Sequence, residues 1–238
     1  MIWKNLTASV KIFTSPGTLF EGIKEQPRWG VTFVVIAILS VLLGLLLLPF
    51  KQEIALSHLS IQLGEVQARQ VISSINQIAI GTVLFTPVAL VIKWIVITAL
   101  IYYSAILFGS QQIKFKGIFS VVVHSELIFI LMACVNILIL EGKWYSGRRD
   151  LTDTQMIIGL EYYFQGAGQN IYLVTIARTI NTFTVWYGIV LTIGISIVGQ
   201  LQRWKSAVIV STLWLLGAGF QSAVLFITSG VKGMMGRW

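Results

Sequence analysis

From residue 29 to residue 50 the chain runs for 22 residues without a single charged side chain. At 1.5 Å of rise per residue a helix of that length spans about 33 Å, enough to cross the roughly 30 Å hydrocarbon core of a bilayer. A half-buried soluble element would alternate apolar and polar residues with a period of 2 or 3.6, and this block does not. The rest of the chain has the same character. Charged residues make up 11% of the 238 and apolar ones 56%, too little charge to face water on every side.

Further apolar blocks at 78–108, 118–140, 183–199 and 207–230 bring the number of expected spans to five. The predicted fold class is all-α: a polytopic membrane protein with five transmembrane helices over 29–230, an amphipathic interfacial N-terminal segment over 1–28 and a short C-terminal tail over 231–238. The second block is too long for a perpendicular span and contains Pro87 and Lys93, which predicts a tilted or kinked helix. The third contains His124, Glu126 and Asn136, so it should face other helices and not lipid. The fourth and fifth are separated only by residues 200–206, a tight hairpin. Ahead of the first block, Ile2, Leu6, Val10 and Phe13 recur at helical spacing with Lys4 and Lys11 off that stripe, the pattern of a helix lying in the interface. Ser15 and Pro16 then restart a helix whose apolar side is Leu19, Phe20 and Ile23. In the connection 141–182, Met156, Ile157, Leu160 and Phe164 share a helical face, beside Trp144, Tyr145, Tyr162 and Tyr163 as headgroup-depth anchors.

The formal net charge is +8, from 17 Lys and Arg against nine Asp and Glu. The basic residues flank apolar blocks and form no stripe, which argues against nucleic acid and for anionic lipid headgroups as their counterpart. Those on the N-terminal side, Lys4, Lys11, Lys24, Arg28, Lys114, Lys116, Arg203 and Lys205, are matched in number on the other side. They lie in shorter segments, however, and that density predicts a cytoplasmic N-terminus and, after five spans, an external C-terminus. The 28 residues before the first block also read it as a retained span and not a cleaved signal. Cys134 is the only cysteine, so no intrachain disulfide and no Cys-based metal centre is expected.

No Ser-His-Asp set, phosphate-cradling glycine loop or histidine pair at zinc spacing occurs, and nucleophilic or metal-assisted catalysis would need one. The reading is therefore of a non-enzyme with no cofactor and no metal site. The candidate intramembrane polar cluster is Lys93, His124, Glu126 and Asn136. A charge at a helix centre costs roughly 2.5–3.5 kcal/mol on insertion scales, so something should compensate Lys93 and Glu126. Three roles stay open: a structural interhelical contact, a lined cavity for lipid or ion, and a proton relay. A direct ion pair is opposed by depth. Counted from the span ends, Lys93 lies about 23 Å and Glu126 about 12 Å from the N-terminal side, a mismatch of about 10 Å. His124 and Glu126, two apart, do not share a helical face. Gly219 with Ala223, and Thr192 with Ser196, have the small-residue spacing that permits close helix approach, read first as internal packing.

Phe183, Thr184, Trp186, Leu191 and Gly194, followed by a short basic turn with Lys205 and Ala207, resemble the F-t-x-W segment, following glycine and basic hairpin of the Yip family. These are the five-span membrane proteins named for interacting with Ypt and Rab GTPases. Ser15, Pro16, Phe20, Pro27 and Trp29 resemble that family's lead-in to its first span, and Phe115 and Gly117 its short loop before the third. The chain departs from the family at Glu126, where many relatives carry a proline, and in having only 28 residues before the first span, which looks like the prokaryotic branch. The resemblance implies a membrane adaptor or organiser without known chemistry, in a bacterial cytoplasmic (inner) membrane. Its expected partners are the bilayer and another membrane protein or complex, or a second copy in a homo-oligomer. Two alternatives stand beside it: a transporter or lipid-handling protein with a polar path between the second and third spans, and an accessory subunit of an ATP-driven exporter.

Overall fold

The structure is a computed structural model that describes residues 10–145, 159–160, 163 and 171–235. The described part is helical: α1 (Pro16–Glu25), α2 (Gly30–Leu63), α3 (Glu65–Leu107), α4 (Phe115–Ser125), α5 (Leu127–Tyr145), α6 (Ile171–Thr179), α7 (Thr182–Val198) and α8 (Arg203–Met235). Four stretches are long and apolar enough to cross a membrane, namely Gly30–Leu63, Glu65–Leu107, Phe115–Tyr145 and Arg203–Val224, and Thr182–Val198 is a shorter apolar helix. This is a polytopic membrane protein. Ile2 and Leu6, and all of the expected face at 156–164 except Leu160, lie outside the described residues.

The first two long helices exceed what a bilayer needs. The 34 residues of α2 and the 43 of α3 correspond to about 51 and about 64 Å, so residues 51–77 form an antiparallel helical extension between the first two apolar blocks. The reversal is made by Gly64 alone, at φ +80° and ψ 156°, a region essentially closed to side chains. Gln52 Nε2 donates to Asn76 Oδ1 across the extension at 2.6 Å. Both helices run through their prolines, Pro49 and Pro87, without ending.

The centre of the bundle is α4, buried at every residue from Gly117 to Ser125 except Phe119. Such a helix, covered all round, needs neighbours on every side, and it contacts α1, α2, α3, α5 and α7. The third span is interrupted at Glu126, where the backbone changes from α4 to α5 through one tightened turn that includes a bond from Phe129 N–H to Glu126 C=O. From α3, Trp94, Thr98, Ile101 and Ala105 are fully buried, one face at helical spacing. Edge-on aromatic contacts link the helices, with ring centroids 5.1 Å apart for Trp29 and Phe119 and 5.9 Å for Phe33 and Trp94.

The described part of the N-terminal segment packs on the bundle. Ile12 and Phe20 are fully buried and Leu19 and Ile23 nearly so, while Val10 is 60% exposed. The apolar side of this segment is covered by α7 and α4, so protein, and not a lipid surface, occupies it. An amphipathic stripe specifies that an apolar face must be covered but not by what, which is why the pattern alone pointed to the interface. A further helix, α6, was not expected in the connection before the fourth span, and packs on α8.

Candidate functional site

Lys93 and Glu126 meet. The Lys93 ammonium donates to Glu126 Oε1 at 2.6 Å, and the Trp94 indole N–H donates to Oε2 at 3.1 Å. Both carboxylate oxygens are thus engaged, and the Glu126 side chain is only 5% exposed, whereas that of Lys93 is 40% exposed. The two residues come nearly level because of where the helices begin and end. α3 ends at Leu107 and α4 starts at Phe115, three residues before the apolar block, so Lys93 and Glu126 lie about 21 and 17 Å from their helix ends. The remaining offset of about 4 Å is within reach of a lysine's four-carbon stem. The Lys93 ammonium also stands 5.4 Å from the centre of the Phe129 ring, and Phe129 lies against Tyr187 with centroids 4.6 Å apart.

His124 belongs to a different node. Its Nδ1 lies 2.7 Å from the Ser120 carbonyl oxygen, which can only accept, so Nδ1 carries the proton. Nε2 lies 2.9 Å from the Thr32 hydroxyl on α2, from which the neutral ring accepts. His124 therefore turns to the first span while Glu126 turns to the second, as their spacing of two requires. Asn136 is ten residues beyond Glu126 on the same span, about 15 Å along the axis. Of the four candidate residues, Lys93 and Glu126 are in direct contact and His124 bonds to Ser120 and Thr32. Among the described residues, no group of three or more His, Cys, Asp or Glu could hold a metal ion.

The residues of the F-t-x-W segment have separate mechanical roles. Asn181 caps α7, its side chain accepting from the backbone N–H groups of Phe183 and Thr184 while Thr184 Oγ1 accepts from the Asn181 N–H, a reciprocal capping box. Trp186 meets Phe13 edge-on at 5.8 Å and Phe183 at 6.4 Å. Gly194 makes room for the N-terminal helix, because a Cβ there would overlap Val121 and stand 3.0 Å from the Phe20 ring. Gly117 works similarly, with a Cβ 2.7 Å from Val198. Lys205 donates to the carbonyl of Phe108, the C-cap of α3, at 2.9 Å, a cation placed where a helix C-terminus is negative. Ser110 Oγ donates to Gly199 C=O at 2.6 Å beside it. The basic turn thus fastens the α7–α8 hairpin to the end of α3.

Several of these partners were not singled out from the sequence. Trp94, next to Lys93, gave a signal only in hindsight of the pairing, whereas Asn181, a capping residue three before Thr184, carried a readable one. The small-residue pair Gly219 and Ala223 does not pack internally: both are exposed, and nothing lies within 4 Å of a Cβ at Gly219. Thr192 and Ser196 instead bond to backbone carbonyls of Gly188 and Leu201.

Between α7 and α8 lies a partly open apolar cavity of about 710 Å³, lined by Tyr187, Leu191, Val210 and Trp214 and by Ile97 of α3. Ile97 is one helical turn from Lys93, so the ammonium and the cavity lie on the same side of α3.

The fold and this site define an all-helical integral membrane protein whose polar residues tie helices together. Its family can now be stated. The chain belongs to the Yip1 domain family, whose model matches residues 10–225. Comparison with curated proteins and with solved structures found no match.

Proposed function

We propose that the protein is a non-catalytic membrane adaptor that works through lateral contacts with another membrane protein. Five helices cross the bilayer in this reading, the shorter Thr182–Val198 included, with the N-terminal side cytoplasmic because of its dense Lys and Arg. The observation that carries it is the 40% exposure of the Lys93 side chain within an apolar span, one turn from the lateral cavity. Even paired with Glu126, a lysine side chain that is partly open to hydrocarbon is costly. A transmembrane helix of a partner seated on the α7–α8 cavity would cover it and supply a further acceptor. Membership of the Yip1 domain family supports the same class.

The experiment is affinity purification in mild detergent at native expression, with a photo-crosslinking residue at Ser211, which lines the cavity and is exposed. One defined membrane protein should be captured by the parent chain and lost in Lys93→Met when the variant still elutes as a folded particle. A chain that crosslinks to nothing and elutes alone would overturn the reading.

A further inference from the structure

A second cavity, of about 820 Å³, lies between the N-terminal helix, the start of α2 and α4. Its size is within the roughly 300–1,000 Å³ of pockets that hold small ligands. Its walls carry three cations, Lys11, Arg28 and Lys116, against one carboxylate, Glu25, a formal excess of two positive charges. Among the described residues none of the three cations is in an ion pair, although Arg28 donates to the neutral side chain of Gln26. The first turn of α2 forms part of the same wall. Its N-cap is Trp29, which offers no side-chain cap, so the N–H groups of this turn have no intrahelical acceptor and add to the positive field. The apolar share of the wall comes from Leu19, Ile23 and Trp29.

Arg28 precedes the first apolar span and Lys116 stands in the first turn of α4, so both are at the water-facing edge on the N-terminal side. A pocket that sets cations and the first-turn N–H groups of Gly30 and Val31 beside the apolar side chains of Leu19, Ile23 and Trp29 matches an anionic amphiphile. We infer that this cavity binds the phosphate headgroup of an anionic phospholipid from the leaflet on the N-terminal side. Arg28 supplies planar, forked donors to phosphate oxygens and Lys116 and Lys11 act as point charges. Leu19, Ile23 and Trp29 cover the upper part of the lipid. This site is separate from the lateral cavity, and the inference does not depend on the adaptor reading.

The test counts lipids retained by the full chain in native mass spectrometry, with dioleoyl phosphatidylglycerol and dioleoyl phosphatidylcholine offered in equal amounts. The parent chain should retain one phosphatidylglycerol with a preference of about tenfold, a difference of about 1.4 kcal/mol. Arg28→Ala with Lys116→Ala should bring that preference below twofold. Gly22→Phe tests the same idea without touching charge: Gly22 lines the cavity and a Cβ there meets nothing within 4 Å, so the ring fills the cavity and should also abolish the preference. Lys24→Ala with Arg203→Ala removes two exposed cations from the same side that do not line the cavity, and should leave it intact. Glycerol phosphate and inorganic phosphate are added as competitors at millimolar concentration. Displacement by neither assigns the site to the membrane-embedded lipid, whereas displacement by inorganic phosphate alone would make it a soluble-phosphate site and overturn the lipid assignment. Equal loss in the control pair, or a preference that survives Gly22→Phe, would overturn the cavity as the site.

Discussion

Replacing Lys93 with Met removes one partner of the Lys93–Glu126 pair and leaves the Glu126 carboxylate with the Trp94 indole alone. At 2.6 Å and an effective dielectric of about 20, the attraction lost is about 6 kcal/mol. Most of it offsets the cost of taking both ions out of water, so the net loss is smaller. Breaking a buried pair from one side typically costs about 3–5 kcal/mol. Because Lys93 is 40% exposed, we expect the lower end, about 3 kcal/mol. Glu126→Leu should cost about 2 kcal/mol, since it leaves an ammonium that can still reach toward the headgroups. The double variant should cost clearly less than the sum, by at least about 1 kcal/mol of coupling. Reversible unfolding in mixed micelles with increasing dodecyl sulfate measures all four corners of this cycle. Single costs that add within about 0.5 kcal/mol would refute the claim that this contact ties the second span to the third.

Four other outcomes follow from the packing. Gly194→Ala should destabilise by about 1–3 kcal/mol through overpacking against Val121 and Phe20, read as a lower thermal midpoint, and should cost less when introduced into a Phe20→Ala background. Asn181→Ala should cost about 1 kcal/mol by uncapping α7, measured in the same unfolding assay. Gly64→Val should cost about 1–3 kcal/mol because its backbone region is closed to side chains, with proteolysis near residue 64 as the readout. Lys205→Met, which frees the carbonyl that ends α3, should cost about 1.5–3 kcal/mol and speed amide exchange in residues 108–113.

The apolar blocks were legible because the requirement they meet is local: each stretch of backbone in hydrocarbon must satisfy its own hydrogen bonds and present apolar side chains. Residues 29–50 needed no knowledge of the rest of the chain to be read as a span. The start of α7 was also marked nearby, by Thr184 beside its cap. Relations between elements were not legible in this way. The Lys93–Glu126 contact depends on helix starts to within a few residues, and hydropathy locates an apolar block but not the polar turn that leads into it. A three-residue error at Phe115 was enough to move the partners apart. The stripe Leu19, Phe20 and Ile23 likewise demanded a cover without naming it, and the cover is a groove opened by a glycine at position 194, far along the chain.

Membrane embedding and helical class were therefore determined by the sequence by itself, because solvent acts on each segment independently. Which polar groups meet, where the N-terminal helix lies and which cavities remain were decided only by tertiary structure. The physical reason is that those features depend on the relative register of helices, and register is set by side-chain volumes and bonds contributed from several segments at once.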